Sequence, residues 1–182
     1  MSKSTKIFNG KTNKKKYTNS NDFDDPTKIA DIFAKQMFKE GYAFDYSLES
    51  LEIEIDKFLL KYSFRKGKNG IYDKIFKTRY WKRHQVETYL TAYIGVTLIK
   101  LYGGKWIGGF YGPENPFGSN FHTSIILIKN YQFNPNHFIS YYLSNGKKEE
   151  GTFYEYLYSR SQHYGILKDF LGGGLLNKIE NS

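Results

Sequence analysis

From a start between Thr78 and Lys82 through to Tyr102, the chain carries apolar side chains around most of a helix, and the run then stops at Gly103-Gly104. Val86, Leu90, Tyr93, Ile94, Val96, Leu98 and Leu101 leave little of the circumference polar. A helix of that kind is covered on several sides, so the pattern predicts a central, mostly buried element. Gly95 costs such a helix roughly 1 kcal/mol against alanine, and a close approach by another element would offset it. Gly103-Gly104 supplies the left-handed stop. Lys105 to Phe110 then reads as a strand. A buried helix feeding directly into a sheet predicts an α+β fold: a helical layer, Asp25 to Tyr102, packed on a small antiparallel sheet, with helices following at the C-terminal end.

The flanking elements agree with that scheme. Asp25-Pro26 opens a first helix, with Asp25 capping and Pro26 in the first turn. Ile29, Ile32, Phe33 and Met37 set its apolar face, and Gly41 ends it. Ser47 caps a second helix in which Leu48, Leu51, Ile55, Phe58, Leu59 and Tyr62 follow helical spacing. Glu49, Glu52, Glu54 and Asp56 occupy the rest of its surface. After Lys105–Phe110, the stretch from Tyr111 to Asn120 reads as a loop around Gly112-Pro113 and Asn115-Pro116. Phe121 to Ile128 reads as the central strand. Asn134-Pro135 starts a helix that leads into Phe138 to Leu143 and stops at Asn145-Gly146. Thr152 caps a last helix through Arg160, and Ile166 to Leu171 adds a further turn.

The chain of 182 residues has 17 Tyr, 15 Phe and 2 Trp and no Cys. Aromatic residues at that density supply a large buried area, so a packed core is expected without disulfides or thiolate metal sites. Met1 to Ser20 is polar and basic, unlike the apolar stretch of a secretory signal. No apolar run approaches the ~18 residues of a membrane span. A cytoplasmic protein is expected from these features.

The formal net charge is +9, and it is unevenly placed. Residues 1–20 carry six Lys and no acid, whereas residues 21–60 carry ten acids and four Lys. Residues 61–84 carry nine bases and one acid. The division predicts a basic flexible arm over 1–21 and a single α+β domain over 22–182.

Tyr93-x-Gly95, then Leu98-Ile99, then Gly103-Gly104-x-Trp106 resembles a pattern in small bacterial α+β proteins of unknown function, some of which look like immunity proteins of toxin systems. Ser47-Leu48-x-x-Leu51, Asn115-Pro116-Phe117, and Tyr142-Leu143-x-Asn145-Gly146 followed by Phe153-Tyr154 extend the resemblance over roughly residues 45–158. It implies a protein-binding module that binds and neutralises a cognate toxin or effector.

Several side-chain groups are candidates for function. The acidic residues Glu49, Glu52, Glu54 and Asp56 suit a basic partner surface, since charge complementarity speeds association and selects partners. The loop residues Glu114, Asn115 and Phe117 suit a protein contact. The alternative partner is RNA or DNA. Arg65, Lys66, Lys68, Lys77, Arg79, Lys82 and Arg83 alternate with Tyr72, Phe76, Tyr80 and Trp81, which combines phosphate neutralisation with base stacking. A solvated helix face explains the same pattern. His84, His122, His137 and His163 lack metal-ligand spacing and lack a nucleophile-elbow sequence. Gly103-Gly104 follows a helix rather than preceding one, unlike a phosphate loop. The chain is therefore expected to be a binding protein rather than an enzyme, with no cofactor and no metal.

Trp106 gives the first prediction: if its ring is buried, Trp106→Ala lowers stability by roughly 3–5 kcal/mol in chemical denaturation. An unchanged melting curve would make Trp106 a surface residue and a binding candidate.

Overall fold

The computed structural model describes residues 22–61, 83–115, 118–146 and 152–157. The basic arm, Phe117, the basic residues Arg65, Lys66, Lys68, Lys77, Arg79 and Lys82, and the segment from Ile166 to Leu171 lie outside the described residues.

Helix α1 spans Pro26–Lys39, and the Asp25 carboxylate accepts from the amides of Thr27 and Lys28, as expected of its cap. Its inner face is Ala30, Phe33, Ala34 and Met37. Ile32, expected on that face, lies 48% exposed. The small Ala30 and Ala34 take its place because α1 runs close against the central helix. Helix α2 covers residues 48–61, as a π-helical turn Ser50–Glu54 followed by the α-helix Ile55–Lys61. Ser47 caps it, its hydroxyl accepting from the Ser50 amide at 3.0 Å.

Helix α3, Arg83–Tyr102, is the central element. Every residue from Thr88 to Leu98 is buried, as the all-round apolar pattern predicts. Gly95 explains why a helix can lie so deep: a Cβ added there would overlap the Trp106 ring and crowd Pro135. The Trp106 ring lies over this notch and packs edge-on against Phe110, centroids 5.6 Å apart. Gly103 (φ 74°) and Gly104 (φ 130°) then turn the chain into the sheet.

The sheet has strands β1 (Lys105–Trp106), β2 (Ile126–Ile128) and β3 (Tyr131–Phe133), all antiparallel, in the order β1-β2-β3. Trp106 faces Ile126, and Ile126 faces Phe133. Both expected strands prove shorter. The strand expected over Lys105 to Phe110 ends after Trp106 because the amides of Ile107 and Gly108 both donate to the Ile125 carbonyl, which breaks the register. The Phe110 carbonyl then accepts from Asp24 at 2.7 Å and ties the chain to the start of α1. The strand expected over Phe121 to Ile128 keeps only its last three residues. Its first part is the short helix α4, Asn120–Thr123, capped by Ser119. Local bonds from Ser, Thr and Asn side chains compete with sheet pairing there.

Helix α5, Pro135–Tyr141, starts at the Asn134 cap as expected and continues as a π-helical turn, Tyr142–Gly146. A final helical turn covers 153–157. The Thr152 hydroxyl accepts from the Glu155 amide while the Glu155 carboxylate accepts from the Thr152 amide, a reciprocal cap.

The aromatic content is used in the core. Phe33 makes ring contacts with Phe44, Phe58, Tyr89 and Tyr93, joining α1, α2 and α3. Tyr46, at φ 67°, closes one side of this cluster. Its amide donates to the Tyr93 hydroxyl, its hydroxyl donates to Asp31 at 2.6 Å, and Lys100 sits over its ring.

Two predictions follow from this packing. Gly95→Ala, normally favourable in a helix, destabilises by about 1–3 kcal/mol because the methyl group overpacks against Trp106, read by denaturant midpoint. Burial raises the hydroxyls of Tyr46, Tyr89 and Tyr142 above the ordinary tyrosine range; a hydrogen bond to Asp31 adds to the effect at Tyr46, and the nearby Asp56 adds to it at Tyr142. Their neutral forms favour the fold, so this stability is complete below the unfolded-state value near 10 and declines as pH rises beyond it. Denaturation midpoints should hold flat to about pH 9 and fall above about pH 10.

Candidate functional site

Residues 107–115 form no strand, yet side chains hold this loop at three points. The Asn120 side chain accepts from the Tyr111 amide at 2.9 Å and donates to the Tyr111 carbonyl at 2.8 Å. Asp24 accepts from the Gly112 amide, and the Asn115 side chain donates to the Asp22 carbonyl. The start of α1 thus anchors one side of the loop and α4 the other. Asn134 extends the frame: its Nδ2 donates to the Phe121 carbonyl while its Oδ1 accepts from the Asn136 amide.

Between this loop and the helices lies a cleft of about 280 Å³. Helix α3 contributes His84, Glu87 and Thr88, and α5 contributes Asn136 and Ser140. The loop and α4 supply Tyr111, Ser119, Asn120 and the Phe121 ring. Glu87 accepts from Arg83 Nε at 2.8 Å, and Arg83 also donates to the Ser140 carbonyl and the Ser144 hydroxyl. Asn136 Nδ2 donates to Thr91, whose hydroxyl donates in turn to the Glu87 carbonyl. Beside the cleft, Phe121 gathers an aromatic cluster. Its ring centroid lies 4.8 Å from His122, 4.4 Å from His137 and 6.3 Å from Tyr141. Tyr141 is 52% exposed.

The residues nominated from sequence divide sharply. Glu54 is no surface acid: it is 7% exposed, accepting from the Ala43 amide and from Lys57. Asp56 also works inside the fold, accepting from the Tyr142 hydroxyl and from the Phe153 amide, where it receives the last helical turn. Glu49 is exposed and Glu52 half-buried, on the same helix. Asn115 is buried as a loop anchor, whereas Glu114 next to it is exposed. Arg83, proposed for nucleic acid, is engaged with Glu87 and α5 instead. Of the histidines, His84 stands exposed at the cleft and His122 exposed in the aromatic cluster.

Thr88, Asn120, Asn134 and Asn136 were not singled out from sequence as site residues. Asn134 is legible only as a helix cap before Pro135. Thr88 and Asn120 carry no local signal, since their roles depend on segments that meet only in the folded chain. Among the described residues no group of three or more His, Asp or Glu is placed to hold a metal. None of their helices is long and apolar enough to cross a membrane. No protein-family model matches the chain, and no curated protein or solved structure matches it.

The loop geometry carries a prediction. Asn120→Ala leaves the buried Tyr111 amide and carbonyl without partners, at roughly 1–3 kcal/mol for each. Hydrogen exchange at the Tyr111 and Gly112 amides should accelerate before global unfolding does.

Proposed function

We propose that this chain is a protein-binding module of the immunity type, which binds a cognate toxin or effector and covers its active surface. The observation that carries this reading is the loop over residues 107–115, held by side-chain bonds from Asn120, Asp24 and Asn115 while Glu114 stays exposed on it. A loop fixed before binding loses little conformational entropy on association, which favours tight docking. The adjacent cluster of Phe121, His122, His137 and Tyr141 has the aromatic character of interface anchors. Exposed Glu49 and Glu114 supply negative charge toward a basic partner. The resemblance over residues 45–158 points the same way. Of the basic residues nominated for nucleic acid, Arg83 alone is among the described residues, and it is held by Glu87, Ser140 and Ser144.

The test is affinity capture by the full chain from source-cell lysate, with and without nuclease, at two salt concentrations. The expected result is one stoichiometric protein that survives both treatments. Tyr141→Ala should weaken its binding by tenfold or more, about 1.4 kcal/mol, with an unchanged melting curve. Nucleic acid that co-purifies and dissociates with salt would overturn the reading.

A further inference from the structure

The cleft between α3, α5 and the loop holds hydrogen-bonding groups that the fold does not use. Thr88 is 8% exposed, and its hydroxyl has no partner among the described residues. Asn136 is 6% exposed; one Nδ2 hydrogen goes to Thr91, while its Oδ1 and its second Nδ2 hydrogen have no partner among the described residues. Neither atom is sealed from solvent, and both residues line the cleft. Buried polar side chains normally complete their bonding within the protein or with an ordered water, whose place a ligand's polar group can take. Two such groups in one cleft, on facing helices, mark a place where a ligand's polar groups are received.

The chemistry of the lining restricts that ligand. Glu87 is paired with Arg83 at 2.8 Å, and His84, which also lines the cleft, is exposed to water, so a charged ligand finds no buried unpaired opposite charge there. The ligand is therefore neutral. Asn136 keeps its Oδ1 acceptor and the second N–H of its carboxamide, a donor and an acceptor side by side that neighbouring hydroxyls can meet together. The lining also carries the hydroxyls of Thr88, Ser119 and Ser140, which rotate and serve as donor and acceptor at once. Phe121 adds an apolar wall. A volume of about 280 Å³ stands at the small end of ligand sites, which start near ~300 Å³. We infer that this cleft is a binding site for a small neutral polyol of monosaccharide size, with Thr88 and Asn136 accepting or donating to its hydroxyls and Phe121 against its C–H face. The site shares Phe121 and part of the loop with the proposed docking surface, but sugar binding is measured without a protein partner and so is tested separately.

The experiment is ligand-observed saturation-transfer NMR with titration of the full chain. The probes are glucose, galactose and ribose, with gluconate and glucosamine as charged counterparts and adenine as a planar one. At least one neutral sugar should saturate, and the charged and planar probes should bind at least about tenfold more weakly. Thr88→Val, which removes a hydroxyl the fold does not use, should keep the wild-type melting curve and weaken that sugar about 3–10-fold, the range of one hydrogen bond. Thr88→Ser should restore binding. The proposal is overturned if no neutral sugar saturates, if gluconate, glucosamine or adenine binds as well, or if Thr88→Val binds like wild type.

Discussion

The close approach at Gly95 organises the molecule. A side chain of any size there would push away the Trp106 ring and Pro135 together. Those two residues belong to β1 and to the start of α5, so one missing Cβ lets both the sheet and the following helix seat against α3. Trp106 passes the contact to Phe110, which packs with Ala30, Ala92 and Val96 where α1 crosses the central helix. Small residues on both helices bring the backbones close, and dispersion over that contact adds to the apolar area removed from water.

The cleft is a product of the same arrangement. Helices α3 and α5 pack together with Pro135 beside Gly95, and the cleft is lined by Thr88 from α3 and by Asn136 and Ser140 from α5. The loop closes the third side because Asn120 mimics a strand partner for Tyr111, accepting and donating as a backbone would. This is stable because both Tyr111 groups are buried, where an unmade hydrogen bond is expensive. Rigid walls and unused polar atoms therefore occur together, the combination expected of a preorganised site.

Charged groups divide between the surface and the interior in a way their spacing conceals. Glu49, Glu52, Glu54 and Asp56 form one acidic series on paper, yet Glu54 binds the Ala43 amide and Asp56 receives the Phe153 amide. Each acid is turned inward by a distant backbone donor that reaches it in the fold. Arg83 belongs by sequence to a basic block, but Glu87 one turn on and the end of α5 hold it.

Periodicity and capping chemistry were enough to read the helices, since a cap or an apolar stripe depends on residues within one or two turns. Asp25-Pro26, Ser47 and Asn134-Pro135 begin helices where their local chemistry places them. Gly103-Gly104 ends the buried helix for the same local reason. The residues before the central strand were misread, because β-branched and aromatic composition at Phe121 to Thr123 carries no record of Ser119 and Asn134 bonding there. The cleft was not legible at all. Asn120 and Asn136 acquire their roles from Tyr111 and Thr91, which lie outside their own elements, and only tertiary packing decides which polar groups find a partner and which, like Thr88, are left facing open space.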